Sequence, residues 1–511
     1  MTASADIAIE QISSLCSQCN KPVTSNIIER NGSVFQTSTC PVHGTTETEI
    51  FSNAPLYRKL NGWNDLVFGS FDRQGATPDI AEEGTWLTSL NKPVLGVIDL
   101  TNRCNYRCPL CFADGDHAKN FYYLEKETVR KMLQKLLEQT PAPCKNIQFS
   151  GGEPTLHPDF AEILCMARDM GFSHIQVATN GSRFLDMDFV ALCEEMGLHT
   201  LYLQFDGLND DVYLKLRGKR LLDQKIAIVE NIARTNMRIV LVPSIAATIN
   251  VDQLGPIFKF ALRYSKHITG ISIQPAAHVG RTEYSGADVR RFNLADMAIE
   301  FGNQTGLTTF PDDWFPLNAI SMITLGVGNL RGAPLPHPAC DAHCSLGTYF
   351  YVDERDNPTC LNHFLNMEQF FKRMGKLSPK GTRNAIFEKI YRLKELKTIS
   401  DCFNQDKAPE GLTFQRLLRG LDGWEDKSLG RGADWYQKGY NGLFVAGMHF
   451  MDSGNYNLRR LRRCIIQYVT ADGKLVPFCS YNSGLRYRTI EECNREKEVR
   501  IGSDQPAVVA T

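Results

Sequence analysis

No uninterrupted apolar run of the ~18 residues needed to cross a bilayer occurs in this sequence, so it offers no membrane-spanning helix. Its first residues, MTASADIAIEQISSL, lack the basic stretch followed by a long apolar one that marks a secretory leader, and this argues for a cytoplasmic protein. An excess of one charge is missing too. Lys and Arg number 56 against 57 Asp and Glu, a formal net charge of −1, so nothing global draws the chain to nucleic acid. What the sequence has in quantity is cysteine. Sixteen thiols, several in close pairs, read in a reducing compartment as metal ligands before disulfides. With 511 residues, 43% of them hydrophobic, the chain is long enough for two or three domains with a real core.

Cys104-x3-Cys108-x2-Cys111 stands in the run TNRCNYRCPLCFADG, directly after the apolar segment Val94–Leu100. Three thiolates at that spacing can hold three irons of a 4Fe-4S cube and leave the fourth iron open to a small molecule. A strand before the loop puts the group at the carboxyl end of the strand, where α/β proteins build their sites. The competing reading is three buried free thiols, or a zinc site lacking a ligand. A second segment weighs against it. Ser150-Gly151-Gly152-Glu153-Pro154-Thr155 follows Ile147-Gln148-Phe149, so another strand ends in two glycines that let backbone approach a ligand closely. Glu153 and nearby carbonyls are expected to hold an ammonium group.

Together these segments resemble the radical S-adenosylmethionine (SAM) enzymes. The resemblance implies that Cys104, Cys108 and Cys111 bind a catalytic 4Fe-4S cluster whose open iron is chelated by the methionine part of SAM. It also implies that Gly151, Gly152, Glu153 and Pro154 contact the SAM ammonium. The family usually has an aromatic residue just before the third cysteine; here Leu110 stands there and Phe112 follows it. Later strand ends carry Asn180 in ATNG and Asp206 in QFDG, suited to ribose hydroxyls or the SAM carboxylate, although both pairs are also ordinary turn formers. Gln274 is a candidate for the adenine pocket. Arg217 is expected either to pair with the SAM carboxylate or a substrate anion, or to be a solvated helix-edge arginine.

Hydrophobic periodicity alternates along the middle of the chain. It predicts strands at 94–100, 146–149, 175–178, 201–205, 238–243 and 270–273, and helices near 125–139, 157–170, 186–196, 222–236, 251–264 and 288–301. Six such units make a parallel, partly closed barrel. The expected architecture is therefore α/β, a partial (β/α)6 TIM-like barrel over residues 89–305. It is flanked by an N-terminal Cys/His metal-binding module at 1–88 and a C-terminal auxiliary-cluster domain at 306–511.

Outside the barrel, Cys16-x2-Cys19 and Cys40-x2-His43 sit on either side of Ile27–Phe35 like two knuckles joined by a hairpin. Such a set suits mononuclear zinc or iron, with His43 or a distant cysteine as the fourth ligand. After the barrel come Cys340, Cys344, Cys360, Cys464 and Cys479, with Cys402 in reserve; several lie in loops beside proline. They are read as ligands of one or two auxiliary 4Fe-4S clusters. Cys144, Cys165 and Cys193, isolated near helical segments, are read as small buried hydrophobes. Residues 366–399 interleave Lys and Arg with Phe, Ile and Leu, a basic amphipathic pattern that either rests on an anionic membrane surface or packs on the barrel.

The motifs CxxC…CPxHG, HPxCxxxC and NLxRxxRC…DGxxxPFC, spread from Cys16 to Cys479, narrow the resemblance to the tetraether lipid synthase and its homologues, some of them pterin methylases. That resemblance implies hydrogen abstraction from an unactivated carbon and carbon–carbon bond formation. Its leading version is coupling of lipid alkyl chains, with a hydrophobic small-molecule substrate, an electron donor such as flavodoxin or ferredoxin, and peripheral membrane association. Methylation of a pterin, modification of a peptide, and a noncatalytic iron–sulfur scaffold are the alternatives.

Overall fold

The computed structural model describes residues 6–69, 89, 91–115, 121–282, 291–331, 335–353, 355–377, 385–417, 441–485 and 500–501. Four antiparallel strands open the chain: β1 (Ile7–Leu15), β2 (Pro22–Arg30), β3 (Ser33–Cys40) and β4 (Gly44–Phe51), paired in sequence order. Their alternation of buried and exposed residues reflects a sheet with one face packed and one in solvent. Asn53 then caps helix α1 (Ala54–Phe68), accepting a hydrogen bond from the Leu56 amide at 2.9 Å.

The central region is a succession of strand and helix. Its strands are β5 (Leu95–Thr101), β6 (Asn146–Gly151), β7 (His174–Thr179), β8 (Thr200–Gln204), β9 (Arg238–Val242) and β10 (Ile268–Pro275). The helices that follow them include α2 (Lys126–Leu137), α3 (Phe160–Asp169), α4 (Met187–Met196), α5 (Asp210–Arg217), α6 (Leu222–Ile232), α7 (Leu254–Arg263) and α8 (Leu294–Thr305). Adjacent strands from β5 to β10 pair in parallel. Strand period two divides their residues cleanly. Ile147, Phe149, Val177, Leu201, Leu203, Ile239 and Leu241 share one apolar core with Leu133, Leu136, Ile163 and Leu164 of the helices. Gln148, Gln176, Tyr202 and Ser272 alternate with the apolar set.

Both edges of this sheet are extended by the C-terminal segment, which the periodicity had set apart as a separate region. Helix α9 (Ile320–Arg331), strand β11 (Ser345–Val352), helix α10 (Met367–Gly375) and strand β12 (Asn441–Met448) follow the central region. They precede helix α11 (Leu458–Arg462), strand β13 (Ile466–Val469) and strand β14 (Leu475–Pro477). β12 pairs in parallel with β10 at one edge and β13 in parallel with β5 at the other. Antiparallel β11 and β14 then extend the two sides, and the short strands Phe315–Pro316 and Pro358–Cys360 pair with β11. The core is thus an α/β sheet whose two ends do not pair with each other among the described residues.

Candidate active site and metal centres

β5 ends at Thr101, and the loop carrying Cys104, Cys108 and Cys111 begins there. The end of β6 holds this loop from one side. The Gly152 amide donates to the Thr101 carbonyl at 2.8 Å and the Glu153 amide to the Arg103 carbonyl at 2.8 Å. Gly151 has φ +129°, and a Cβ there would lie 2.1 Å from the Thr101 carbonyl oxygen; on Gly152 it would lie 2.3 Å from that of Arg103. The two glycines are therefore required first by the thiol loop itself, which packs directly on their Cα atoms.

From the other side, the two-residue strand Leu110–Cys111 pairs antiparallel with Arg281–Thr282. Arg281 donates to the carbonyls of Cys108 (3.1 Å) and Gly115 (2.7 Å) and to the Asp114 carboxylate (3.0 Å), joining both ends of the loop. Gly280, at φ +62°, brings its Cα against the Cys111 carbonyl, where a Cβ would come to 2.3 Å. Sequence reasoning passed over Gly280 and Arg281, which follow β10 without a recognisable motif.

Burial pushes the Cys104 thiol up, and the Glu153 carboxylate and the other two thiols push it further. Cys108 is raised as well, again by burial first. Three half-buried free thiols on one short loop, with Cys104 and Cys108 held protonated by their surroundings, are the donor set that a cationic cluster stabilises. Cys104, Cys108 and Cys111 fit a 4Fe-4S cluster on that ground.

Two expected ligand contacts are redirected by the structure. Glu153 is 1% exposed, and its carboxylate accepts from Thr155 Oγ1 (2.6 Å), Thr179 Oγ1 (2.7 Å) and the backbone amides of Thr155 (3.2 Å) and Asn180 (2.8 Å). It braces the ends of β6 and β7. Pro154 is buried in the turn that Glu153 caps. Arg217 is neither solvated nor free for a ligand. Its guanidinium donates to both oxygens of Asp206 (2.6 and 2.8 Å), to the Leu110 carbonyl (2.8 Å) and to Ser244 Oγ (2.9 Å). Asp206 is fully buried and also accepts from the Ser244 amide at 3.0 Å, so this pair ties the ends of β8 and β9 to the thiol loop. The bidentate geometry is the strong kind that makes burial of both charges tolerable.

Asn180 donates from its side chain to Asn105 Oδ1 at 2.7 Å, which connects β7 with the thiol loop. Gln274 reaches Tyr202 Oη at 3.2 Å, and Tyr202 Oη lies 2.6 Å from Ser272 Oγ. Gln176 donates to Gln148 at 2.6 Å. Lys225, 1% exposed, donates to the Asn180 carbonyl (2.6 Å) and to Gln204 Oε1 (2.7 Å). Burial lowers it to about 7 despite the nearby Asp206 carboxylate. Its signal was in the sequence: Lys225, Ile228, Val229 and Ile232 share one helical face, and all four are buried.

The C-terminal cysteines separate into three environments. Cys340, Cys344, Cys464 and Cys479 come together from the loop before β11, its first turn, the connection into β13 and the end of β14. Burial raises all four thiols; Cys340 is raised further by Cys344 and Cys464, and Cys464 by Cys479 and Cys344. Asp341 between the first two accepts from Arg463 at 2.9 Å and contacts His343 at 2.9 Å. Phe112, directly after Cys111, stacks on Phe478 at 5.4 Å and meets Phe450 at 5.0 Å, and Cys479 packs against this aromatic trio. Cys360 is not in that group. It ends a short strand paired with β11 and lies beside Asp313 and His363. Cys402 belongs to neither: it is 5% exposed within the main apolar core, where it has the surroundings of a packing residue. Proline-flanked loops marked Cys340, Cys360 and Cys479 alike in the sequence, and only the tertiary structure sorts them.

In the N-terminal sheet, His43 Nδ1 lies 3.5 Å from Cys16 Sγ and 3.5 Å from Cys40 Sγ, and Cys19 Sγ is 3.9 Å from Cys40 Sγ. Of the fourth members that the sequence left open, the structure brings His43 to the three thiols. Burial opposes ionisation of Cys16, but amides of Cys19 and Gln18 lower it to about 7. Three thiols and an imidazole, their donor atoms within 4.8 Å of one another, are a donor set that suits one tetrahedral metal ion.

Residues 98–261 match the radical SAM superfamily, and residues 8–52 match the HMPTM N-terminal zinc ribbon domain. The chain is 31% identical over 485 residues, 94% of each chain, to the 7,8-dihydro-6-hydroxymethylpterin dimethyltransferase of Methanocaldococcus jannaschii. The chain belongs to the radical SAM superfamily. As such it is an enzyme that cleaves SAM reductively. A shorter likeness, 27% identity over 163 residues, covers 32% of this radical SAM chain and 53% of a probable GTP 3′,8-cyclase of the same organism. SuiB of Streptococcus suis bound to S-adenosylmethionine superposes with a TM-score of 0.36 at 14% identity, over 59% of this chain and 68% of that one.

Proposed function

We propose that this radical SAM enzyme methylates a carbon of a reduced pterin. The observation that carries this reading is the span of the likeness to the pterin dimethyltransferase, which covers 94% of both chains and so includes the ribbon and the C-terminal thiols as well as the SAM region. The residues between the strands support it over lipid coupling. Gln148, Gln176, Tyr202, Ser272 and Gln274 form side-chain hydrogen bonds with one another, and such groups match the donor and acceptor edge of a pterin better than an alkyl chain.

In this reading Cys104, Cys108 and Cys111 hold the catalytic cluster, and Cys340, Cys344, Cys464 and Cys479 hold a second one. Bound there, the cluster and SAM would supply methionine and a 5′-deoxyadenosyl radical able to take hydrogen from an unactivated carbon, and a second SAM would supply the methyl carbon. The work of the protein is then positioning. Gly151, Gly152 and Arg281 fix the thiol loop from both sides. Asp206 and Arg217 lock it to β8 and β9, and Glu153 keeps the ends of β6 and β7 in register. The trio Phe112, Phe450 and Phe478 closes the space beside Cys111 with apolar surface, which keeps water away. An external one-electron donor of flavodoxin or ferredoxin type completes the cycle.

The test is anaerobic turnover of the cluster-reconstituted protein with SAM, dithionite and either 6-hydroxymethyl-7,8-dihydropterin or an extracted lipid pool. The expected result is pterin-dependent 5′-deoxyadenosine and a pterin heavier by one or two methyl groups. Coupled or extended lipids with an unchanged pterin would instead establish the lipid reading.

A further inference from the structure

Asp313, Cys360 and His363 lie outside both thiol groups and outside the N-terminal ribbon, and the proposed reaction uses none of them. They reach one place from three chain positions: a turn before the short strand Phe315–Pro316, the end of the strand Pro358–Cys360, and the helical turn Leu361–His363. One donor atom from each falls within 4.8 Å of the other two. His363 Nε2 is 3.3 Å from Asp313 Oδ2.

The set is built rather than incidental. Asp313 is 3% exposed and its carboxylate is aimed by the Thr309 amide (2.7 Å) and by the Asn362 side-chain amide (2.8 Å). Cys360 is 1% exposed, with Thr348 Oγ1 at 3.5 Å. A buried carboxylate beside a buried thiol is unfavourable when both are ionised. A divalent cation reverses that conflict, because it favours both anions at once.

Ligand number separates this place from the ribbon. Among the described residues no fourth His, Cys, Asp or Glu joins the three, whereas the ribbon closes with four. Three protein ligands are what zinc keeps when one position is left exchangeable. Asp313, Thr348 and Asn362 also line a cavity of about 390 Å³ whose other walls include Ile320, Phe370 and Phe371. We propose that Asp313, Cys360 and His363 bind a zinc-type divalent transition metal through one sulfur, one nitrogen and one oxygen, with an exchangeable fourth position beside this apolar cavity. A ligand there would combine a nitrogen or oxygen donor with an apolar body. This site is independent of the pterin reading, and either can fail alone.

Zinc titration of the cluster-reconstituted, chelator-treated protein tests the proposal, with zinc and iron counted per chain by mass spectrometry. Wild type is expected to retain two zinc ions, Cys360→Ser and His363→Ala one each with cluster iron unchanged, and Cys16→Ser/Cys19→Ser one. His363 is half exposed, so its variant reports on binding even if the buried Cys360→Ser fails to fold. In the Cys16→Ser/Cys19→Ser protein loaded with cobalt, a thiolate charge-transfer band is expected, with visible bands that shift on adding azide. A single zinc in wild type, lost only with the ribbon cysteines, overturns the site. Survival of the second zinc in both Cys360→Ser and His363→Ala overturns the ligand set, and cobalt bands indifferent to azide overturn the open position.

Discussion

A methyl group on Gly152 would press to 2.3 Å from the Arg103 carbonyl oxygen, and the contact is backbone, which cannot turn aside as a side chain can. Gly152→Ala is therefore expected to displace the thiol loop and to abolish cluster-dependent SAM cleavage while circular dichroism stays native. An alanine variant with full cluster iron would contradict this account of the glycine. Arg281 is the other fixed point. Each charge-assisted hydrogen bond it makes is worth roughly 1.5–3 kcal/mol, so Arg281→Ala should reduce deoxyadenosine formation by about ten-fold or more. Iron content measured beside turnover will show whether the loss is in cluster retention. Lys225 makes a prediction about pH. Burial lowers it from 10.5 to about 7, so between those values the unfolded chain carries a proton that the folded one lacks. Its contribution therefore makes stability rise with pH across that window and is flat below it. From pH 7 to pH 9, the melting temperature of wild type should improve relative to Lys225→Met. An identical pH response in the two proteins would refute the buried neutral amine.

At the scale of elements, periodicity was a faithful guide where strands and helices alternate. The six expected strands and six helices between residues 94 and 305 all form, with shifts of a few residues at their ends. After residue 306 it offered no strands, and β12 and β13 find their partners only on the edges of a sheet built by distant sequence. Helix α10 shows the ambiguity of a basic amphipathic pattern. Met367, Phe370, Phe371 and Met374 are buried in the main core, so the apolar face of this helix is spent on packing. Side chains at 378–392, the middle of that pattern, lie outside the described residues. Phe371→Asp should cost at least the ~3–5 kcal/mol of removing a buried phenylalanine side chain. Chemical denaturation measures that loss; a stability change near zero would mean that the face is available to a membrane after all.

For the whole molecule, the N-terminal sheet is docked on the segment that leads to the C-terminal thiols. Ser14 Oγ and Gln36 Nε2 both donate to the Tyr456 carbonyl, at 2.7 and 3.0 Å, and Arg459 pairs with Glu10 at 2.9 Å. Helix α1 continues the contact: Asn64 Oδ1 accepts from the Ala342 amide at 2.8 Å, inside the Cys340–Cys344 turn. Loss of the ribbon metal should therefore be felt beyond residues 7–51. Cys19→Ser is expected to lower the melting temperature and to make the C-terminal iron more labile to chelators than the iron at Cys104, Cys108 and Cys111. Equal lability of the two iron pools would show that the ribbon is only an appended module.

The sequence by itself determined the chemistry that the chain can hold. Thiol spacing at Cys104–Cys111, the glycine pair at 151–152 and the Cys16–His43 knuckles are local patterns, and local patterns are written in consecutive residues. Tertiary structure decided which distant groups act together. It set Glu153 and Arg217 inward as braces, sorted Cys340, Cys344, Cys464 and Cys479 from Cys360 and Cys402, and brought Asp313 to Cys360 and His363. Those assignments depend on the pairing of strands separated by hundreds of residues, and no periodicity within a strand specifies its neighbour.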